Sequence, residues 1–94
     1  GEFWTVTFEF EGRVLKTNSW THFGGWVRIG LTDESGTPLE GYGVADCDRI
    51  SGDTMWEAVS WQGKTDLSAF EGKPIRLHFE MVRARIYAFR FEDK

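Results

Sequence analysis

The sequence predicts an all-β chain, a two-sheet antiparallel β-sandwich of the jelly-roll kind, and three observations carry that expectation. Apolar and polar residues alternate at period two in several segments, which in a strand sends them to opposite faces. Turn signals built on glycine recur at regular spacing between those segments. No segment carries a convincing helical period. Seven or so short strands arranged this way suit a sandwich or jelly roll.

Taken in order, Trp4, Val6, Phe8 and Phe10 alternate with Phe3, Thr5, Thr7 and Glu9, the pattern of a half-buried strand, and Gly12 turns the chain. Arg13 to Thr17 reads as a second strand, and a polar-aromatic loop from Asn18 to Gly25 leads into a third, where Val27, Ile29 and Leu31 alternate with Trp26, Arg28 and Gly30. Asp33-Glu34-Ser35-Gly36 is a turn. Thr37 to Val44 is extended but interrupted by Pro38, Gly41 and Gly43, as an edge or bulged strand would be. A loop from Ala45 to Asp53 precedes an alternating segment, Thr54 to Trp61, and Gln62-Gly63-Lys64 turns again. Asp66 to Phe70 suits one helical turn. Ile75, Leu77, Phe79 and Met81 form the next inward set, and Ile86 to Phe91 the last strand, with Tyr87, Phe89 and Phe91 assigned to the core.

At 94 residues the chain is one domain, residues 1–94. It can hide only about 60–65% of the surface its unfolded form exposes. A net charge of −4 argues against a nucleic-acid partner, which calls for a basic stripe, and acidic neighbours dilute Arg83, Arg85 and Arg90. No apolar run approaches the roughly 18–20 residues of a membrane span, so no membrane partner is expected. Cys47 is the only cysteine and reads as a small buried hydrophobe.

The alternation around Trp26 is the most informative local pattern. The aliphatic residues claim the core, which pushes Trp26 to the outer face beside Arg28, close in sequence to Trp20, His22 and Phe23. Clustered exposed aromatics mark a ligand surface. Flat rings beside hydrogen-bond donors suit sugars, whose axial C–H groups stack on a π face while their hydroxyls seek polar partners. Trp20, Trp26, Arg28, Tyr42 and Trp56 are the candidate ligand-binding residues, with Asn18, His22, Gln62, Arg76 and His78 as further polar partners. Trp61 belongs with Val59 in the core. If Trp26 and Trp56 share a face they build a groove; if the loops of Trp20 and Tyr42 meet, the site takes a chain end.

Several segments also resemble a known family. Thr17-Asn18, Gly24-Gly25, Asp33 to Gly36, Gly41, Asp46-Cys47-Asp48, Gly52-Asp53, Val59-Ser60-Trp61, Asp66-Leu67-Ser68, Gly72 to Leu77 and Tyr87 to Phe91 carry the likeness. They resemble small β-sandwich domains on the C-terminal side of larger bacterial glycoside-hydrolase-type proteins, some with propeller-shaped catalytic domains. The resemblance implies a non-catalytic accessory module in a secreted, extracellular bacterial protein, covalently linked to a glycoside hydrolase domain and directed at a polysaccharide or oligosaccharide. A plant cell-wall β-glucan such as cellulose is the expected ligand, because aligned Trp rings suit flat chains. Two positions depart from the family: Arg83-Ala84-Arg85 replaces an acidic Asp-Ala-Asp, and Trp26 replaces a small polar residue.

Asp46, Asp48 and Asp53 are candidate ligands for a structural Ca²⁺, which takes about 6–8 oxygens, although aspartate also favours turns by bonding to its own backbone. No nucleophile-elbow, zinc or phosphate-loop motif is present, and Glu9, Glu57 and Glu80 have no context that marks a glycosidase pair, so no enzyme is expected. The rival reading is a structural domain that docks on a glycoside hydrolase catalytic domain through its exposed aromatics.

Overall fold

Two long antiparallel strands organise the computed structural model, which describes Gly1–Lys94. They are β2 (Val14–Thr32) and β4 (Arg76–Glu92), flanked by the short strands β1 (Glu2–Trp4) and β3 (Asp53–Ala58). The protein is all-β, with one antiparallel four-stranded sheet in the order β1-β4-β2-β3 and only two single turns of 3-10 helix, at Val44–Asp46 and Ser68–Phe70. No helix is long and apolar enough to cross a membrane.

The long ribbon folds over on itself. Phe79 and Phe89 lie on the same strand, where a straight run would set them about 33 Å apart, yet their ring centres are 5.8 Å apart. The bend falls where pairing jumps from Thr21↔Ala84 to Trp26↔Val82, so that His22 to Gly25 oppose Arg83 alone. Arg83 takes the left-handed φ of 49°, and Gly25 packs so closely that a Cβ there would lie 2.5 Å from the Arg83 carbonyl oxygen. One arm of the ribbon contains Val14–Thr21, Ala84–Glu92 and β3, and the other contains Trp26–Thr32, Arg76–Val82 and β1. Leu15, Val27, Ile29, Leu31, Leu77 and Phe79 point between the arms and are fully or almost fully buried. Phe8 and Phe10 join the seam, with Phe10 stacked on Phe91 at 4.2 Å.

Two predicted strands and the whole of the predicted loop between them therefore merge into β2. Asn18 to Thr21 is strand because its polar side chains find partners there: Ser19 Oγ bonds Thr54 Oγ1, Thr21 Oγ1 accepts from Gly52 N–H, and Asn18 Oδ1 accepts from Trp56 N–H. The N-terminal strand is shorter than the alternation predicts, because Thr5 interrupts it: its hydroxyl accepts from Leu77 N–H and its carbonyl from Arg76 Nε. Pairing resumes only at Phe8↔Ile75, which leaves Val6 81% exposed outside the expected core. Tyr87 also leaves its expected core position. Ser19 pairs with Ile86 and Asn18 with Ala88, so Tyr87 is bulged out of the ladder and stands 66% exposed.

The free edge of the Trp26–Thr32 arm is closed by the segment from Leu39 to Trp61. Val27 exchanges both backbone hydrogen bonds with Ile50, and Leu31 bonds Tyr42 and Leu39. At Ile29, between them, side chains stand in for a strand: the Cys47 sulfur accepts from Ile29 N–H, and Trp61 Nε1 donates to Ile29 carbonyl at 2.8 Å. Burial pushes the Cys47 thiol up to about 11. Trp61 is fully buried, as the sequence predicts, and begins a two-residue hairpin in which Gln62 and Gly63 both have positive φ, the requirement of a type I′ turn.

Candidate functional site

The outer surface of the bend gathers aromatic rings. Val27, Ile29 and Leu31 take the buried face, so Trp26 and Arg28 point outward as the alternation predicts, and Trp26 is half-buried. Trp26 shares an open cavity of about 440 Å³ with Thr21, His22, Phe23, Arg49 and Ser51, whose wall includes Gly24, Gly25 and Gly52. Phe23, at the tip of the bulge, is 98% exposed. An adjoining cavity of about 350 Å³ is lined by Trp20, His22, Asp53, Arg85 and Tyr87, so His22 belongs to both. Trp20 meets His22 edge-on at 4.3 Å.

Two guanidinium groups flank Trp26. Arg28 lies 5.0 Å and Arg49 4.4 Å from the ring centre, within the range of attraction to a π face. Their situations differ. Arg28 commits Nε and one terminal nitrogen to Glu80 across the strand pair, whereas Arg49 makes neither a side-chain hydrogen bond nor an ion pair.

The remaining predicted residues lie elsewhere. Trp56 is on the other arm, with the Arg90 guanidinium 3.8 Å from its ring centre, and lines no cavity with Trp26. Tyr42 packs against Trp61 and Phe70, donates its hydroxyl to the Asp66 carbonyl, and has Lys64 Nζ over its ring, the contacts of an edge plug. Arg76 holds Thr5, and His78 is stacked under Trp4 at 4.2 Å.

The three candidate calcium ligands do not converge. Asp46 accepts from Gly43 N–H. Asp48 accepts from Ser60 Oγ and Gly63 N–H, bonds that hold its carboxyl below the usual range. Asp53 lines the Trp20 cavity. No group of three or more histidine, cysteine or acidic side chains is placed to hold a metal ion.

Arg49, Arg85 and Tyr87 also belong to this surface, and no pattern in the sequence marks them as part of it. Arg49 and Arg85 come from segments distant in sequence from Trp26: the Val27–Ile50 pairing brings Arg49 beside Trp26, the pairing of Arg85 with Trp20 at the bend sets it in the adjoining cavity, and Tyr87 needs the bulge. No family model, curated protein or solved structure matches the chain.

Proposed function

We propose that the chain is a non-catalytic carbohydrate-binding module whose site is the outer surface of the bend. The observation that carries this reading is Phe23, almost wholly exposed beside Trp26 in a shallow cavity whose wall includes three glycines, which leaves a sugar ring room to reach the aromatic faces. Trp20 and Tyr87 continue it past His22. A chain end or short stretch fits this surface better than a long groove does, because Trp26 and Trp56 are on different arms. The folded ribbon is read as the two-layer β-sandwich of a jelly-roll module, a reading supported by the packing of Phe79 on Phe89. By the family resemblance the module is part of a secreted bacterial protein and linked to a glycoside hydrolase domain.

The test is electrophoresis of the chain in native gels containing β-glucans and other plant, bacterial and fungal polysaccharides. At least one polymer retards the wild type, Phe23→Ala and Trp26→Ala each weaken retardation about tenfold, and Trp56→Ala leaves it intact. Chelator has no effect on it, since Asp46 and Asp48 are already bonded to local donors. Free migration in every polymer sinks the reading.

A second reading is favoured by one observation. Phe3, Phe79, Met81, Ile86, Tyr87, Ala88 and Phe89 line an apolar cleft of about 460 Å³ between the arms, with Phe3 44% exposed. If no polysaccharide binds, this cleft becomes the face that docks on a glycoside hydrolase catalytic domain, and the chain's role is structural.

A further inference from the structure

The bend concentrates positive charge in a chain whose net charge is −4. Arg49 lies over Trp26 in one cavity, and Arg85 lines the cavity next to it. Arg83 occupies the corner itself, packed against Gly25. The ion pairs of the protein use other cations, Lys16 and Arg90 with Glu92 and Arg28 with Glu80, and Glu2 lies 3.0 Å from His78 Nε2. Arg49, Arg83 and Arg85 take part in none of them, are exposed, and donate no side-chain hydrogen bond. Asp53 is the single carboxylate lining either cavity.

Resting on the glycan-binding reading, we infer that this site selects acidic polysaccharides, whose sugars carry carboxylate or sulfate groups, over neutral glucans. Each guanidinium presents five donors in a planar fork that matches a carboxylate or sulfate edge, and a charge-assisted bond of that kind is roughly twice as strong as one to a neutral hydroxyl. The aromatic rings supply what the charges do not. Trp26, Phe23 and Tyr87 offer faces for the C–H side of a pyranose, while Arg49 and Arg85 stand beside them to take the anionic substituent. Arg49 is already oriented by its contact with Trp26, so less side-chain freedom is lost when a ligand arrives. An acidic polymer also relieves the mutual repulsion of three guanidinium groups gathered at one corner. The Arg83-Ala84-Arg85 sequence, which departs from the family, thereby acquires a role. Charge on the protein as a whole disfavours acidic ligands, so selectivity depends on this corner alone and falls with added salt.

The experiment titrates the 94-residue chain with polygalacturonate, chondroitin sulfate, a soluble mixed-linkage β-glucan and a single-stranded DNA oligonucleotide, at low salt and at about 0.3 M NaCl. At low salt one of the acidic glycans binds about tenfold or more tightly than the neutral glucan, and the high-salt condition removes most of that advantage. The tighter of the two identifies carboxylate or sulfate as the recognised group. The double substitution Arg49→Gln with Arg85→Gln abolishes the preference but not the residual affinity for glucan, whereas Phe23→Ala weakens binding to both. These side chains are exposed and unbonded, so the variants keep the wild-type circular dichroism. Binding of the neutral glucan as tight as that of the acidic ones overturns the inference and leaves the glycan-binding reading standing. DNA bound as tightly as the glycans, with no effect of Phe23→Ala, overturns it too, since the corner is then an unselective polyanion patch. Failure to bind any glycan removes both.

Discussion

Asp48 shows how a residue that looks like a ligand becomes a fastener. Its carboxylate holds Ser60 Oγ at 2.6 Å and Gly63 N–H at 3.0 Å, tying the loop before Ile50 to the hairpin that begins at Trp61. The Ser60 hydroxyl is the largest cause of its lowered pKa, followed by the Gly63 amide. Because the folded pKa lies below the unfolded one, the tie stabilises the protein above about pH 4 and is lost as the pH falls through the folded value. Ser60→Ala should move the carboxyl titration of Asp48, followed by NMR, upward toward 3.8. The variant should then be less stable than the wild type at neutral pH, by a deficit that shrinks at acid pH as the wild-type carboxyl protonates. An equal deficit at neutral and acid pH would mean that Ser60 acts by packing. At this scale the facing of single residues is legible where the chain keeps a regular period, as at Val27, Ile29, Leu31 and Trp61. It is hidden where polar side chains satisfy one another, because Ser19 and Thr21 are buried like apolar residues yet read as loop.

Elements were legible in kind and less so in extent. Alternation identifies a strand, but it resets at every bulge, so one long strand with two irregularities reads as two strands and a loop. That is the history of β2, and of β4, where Arg83 and Tyr87 each break the phase. The edge of β2 depends on an element that has almost no strand pattern, the segment from Leu39 to Ile50. Gly30 fixes how closely that segment docks, since a Cβ there would lie 2.2 Å from Val44 N and 2.7 Å from the Gly43 carbonyl carbon. Both obstacles are backbone and cannot rotate away. Gly30→Ala should therefore lift the Val44–Asp46 turn and cost about 2–3 kcal/mol, read as a lower denaturant midpoint. The lifted turn should also make Cys47 react faster with a thiol reagent under native conditions, as burial both shields its thiol and raises its pKa. Unchanged stability and an inert thiol would show that the segment docks independently of Gly30.

For the molecule as a whole, the important consequence of a folded ribbon is that neither arm has a sheet of its own. Both arms are built from the same two strands, and the buried side chains of each close the core of the other. This plan is not visible in a list of segments, because it depends on where β2 and β4 turn together, and that corner is also where the candidate site is assembled. The radius of gyration, 12.2 Å, is that of a compact domain of this length, for which about 12 Å is expected. Such an arrangement should unfold in a single step, although the aromatic rings at the corner touch little of the core. Gly25→Ala is the test, because its new Cβ would meet the carbonyl oxygens of Arg83 and Val82 at 2.5 and 2.6 Å while altering no buried side chain. Far-ultraviolet circular dichroism reports the strands of both arms, and protection of Cys47 reports the edge of one arm alone. The substitution should lower both transitions together, by about 2–3 kcal/mol, and leave them coincident as in the wild type. If the circular dichroism instead splits into two steps while Cys47 stays protected through the first, the arms are separate folding units and the corner is a hinge between them.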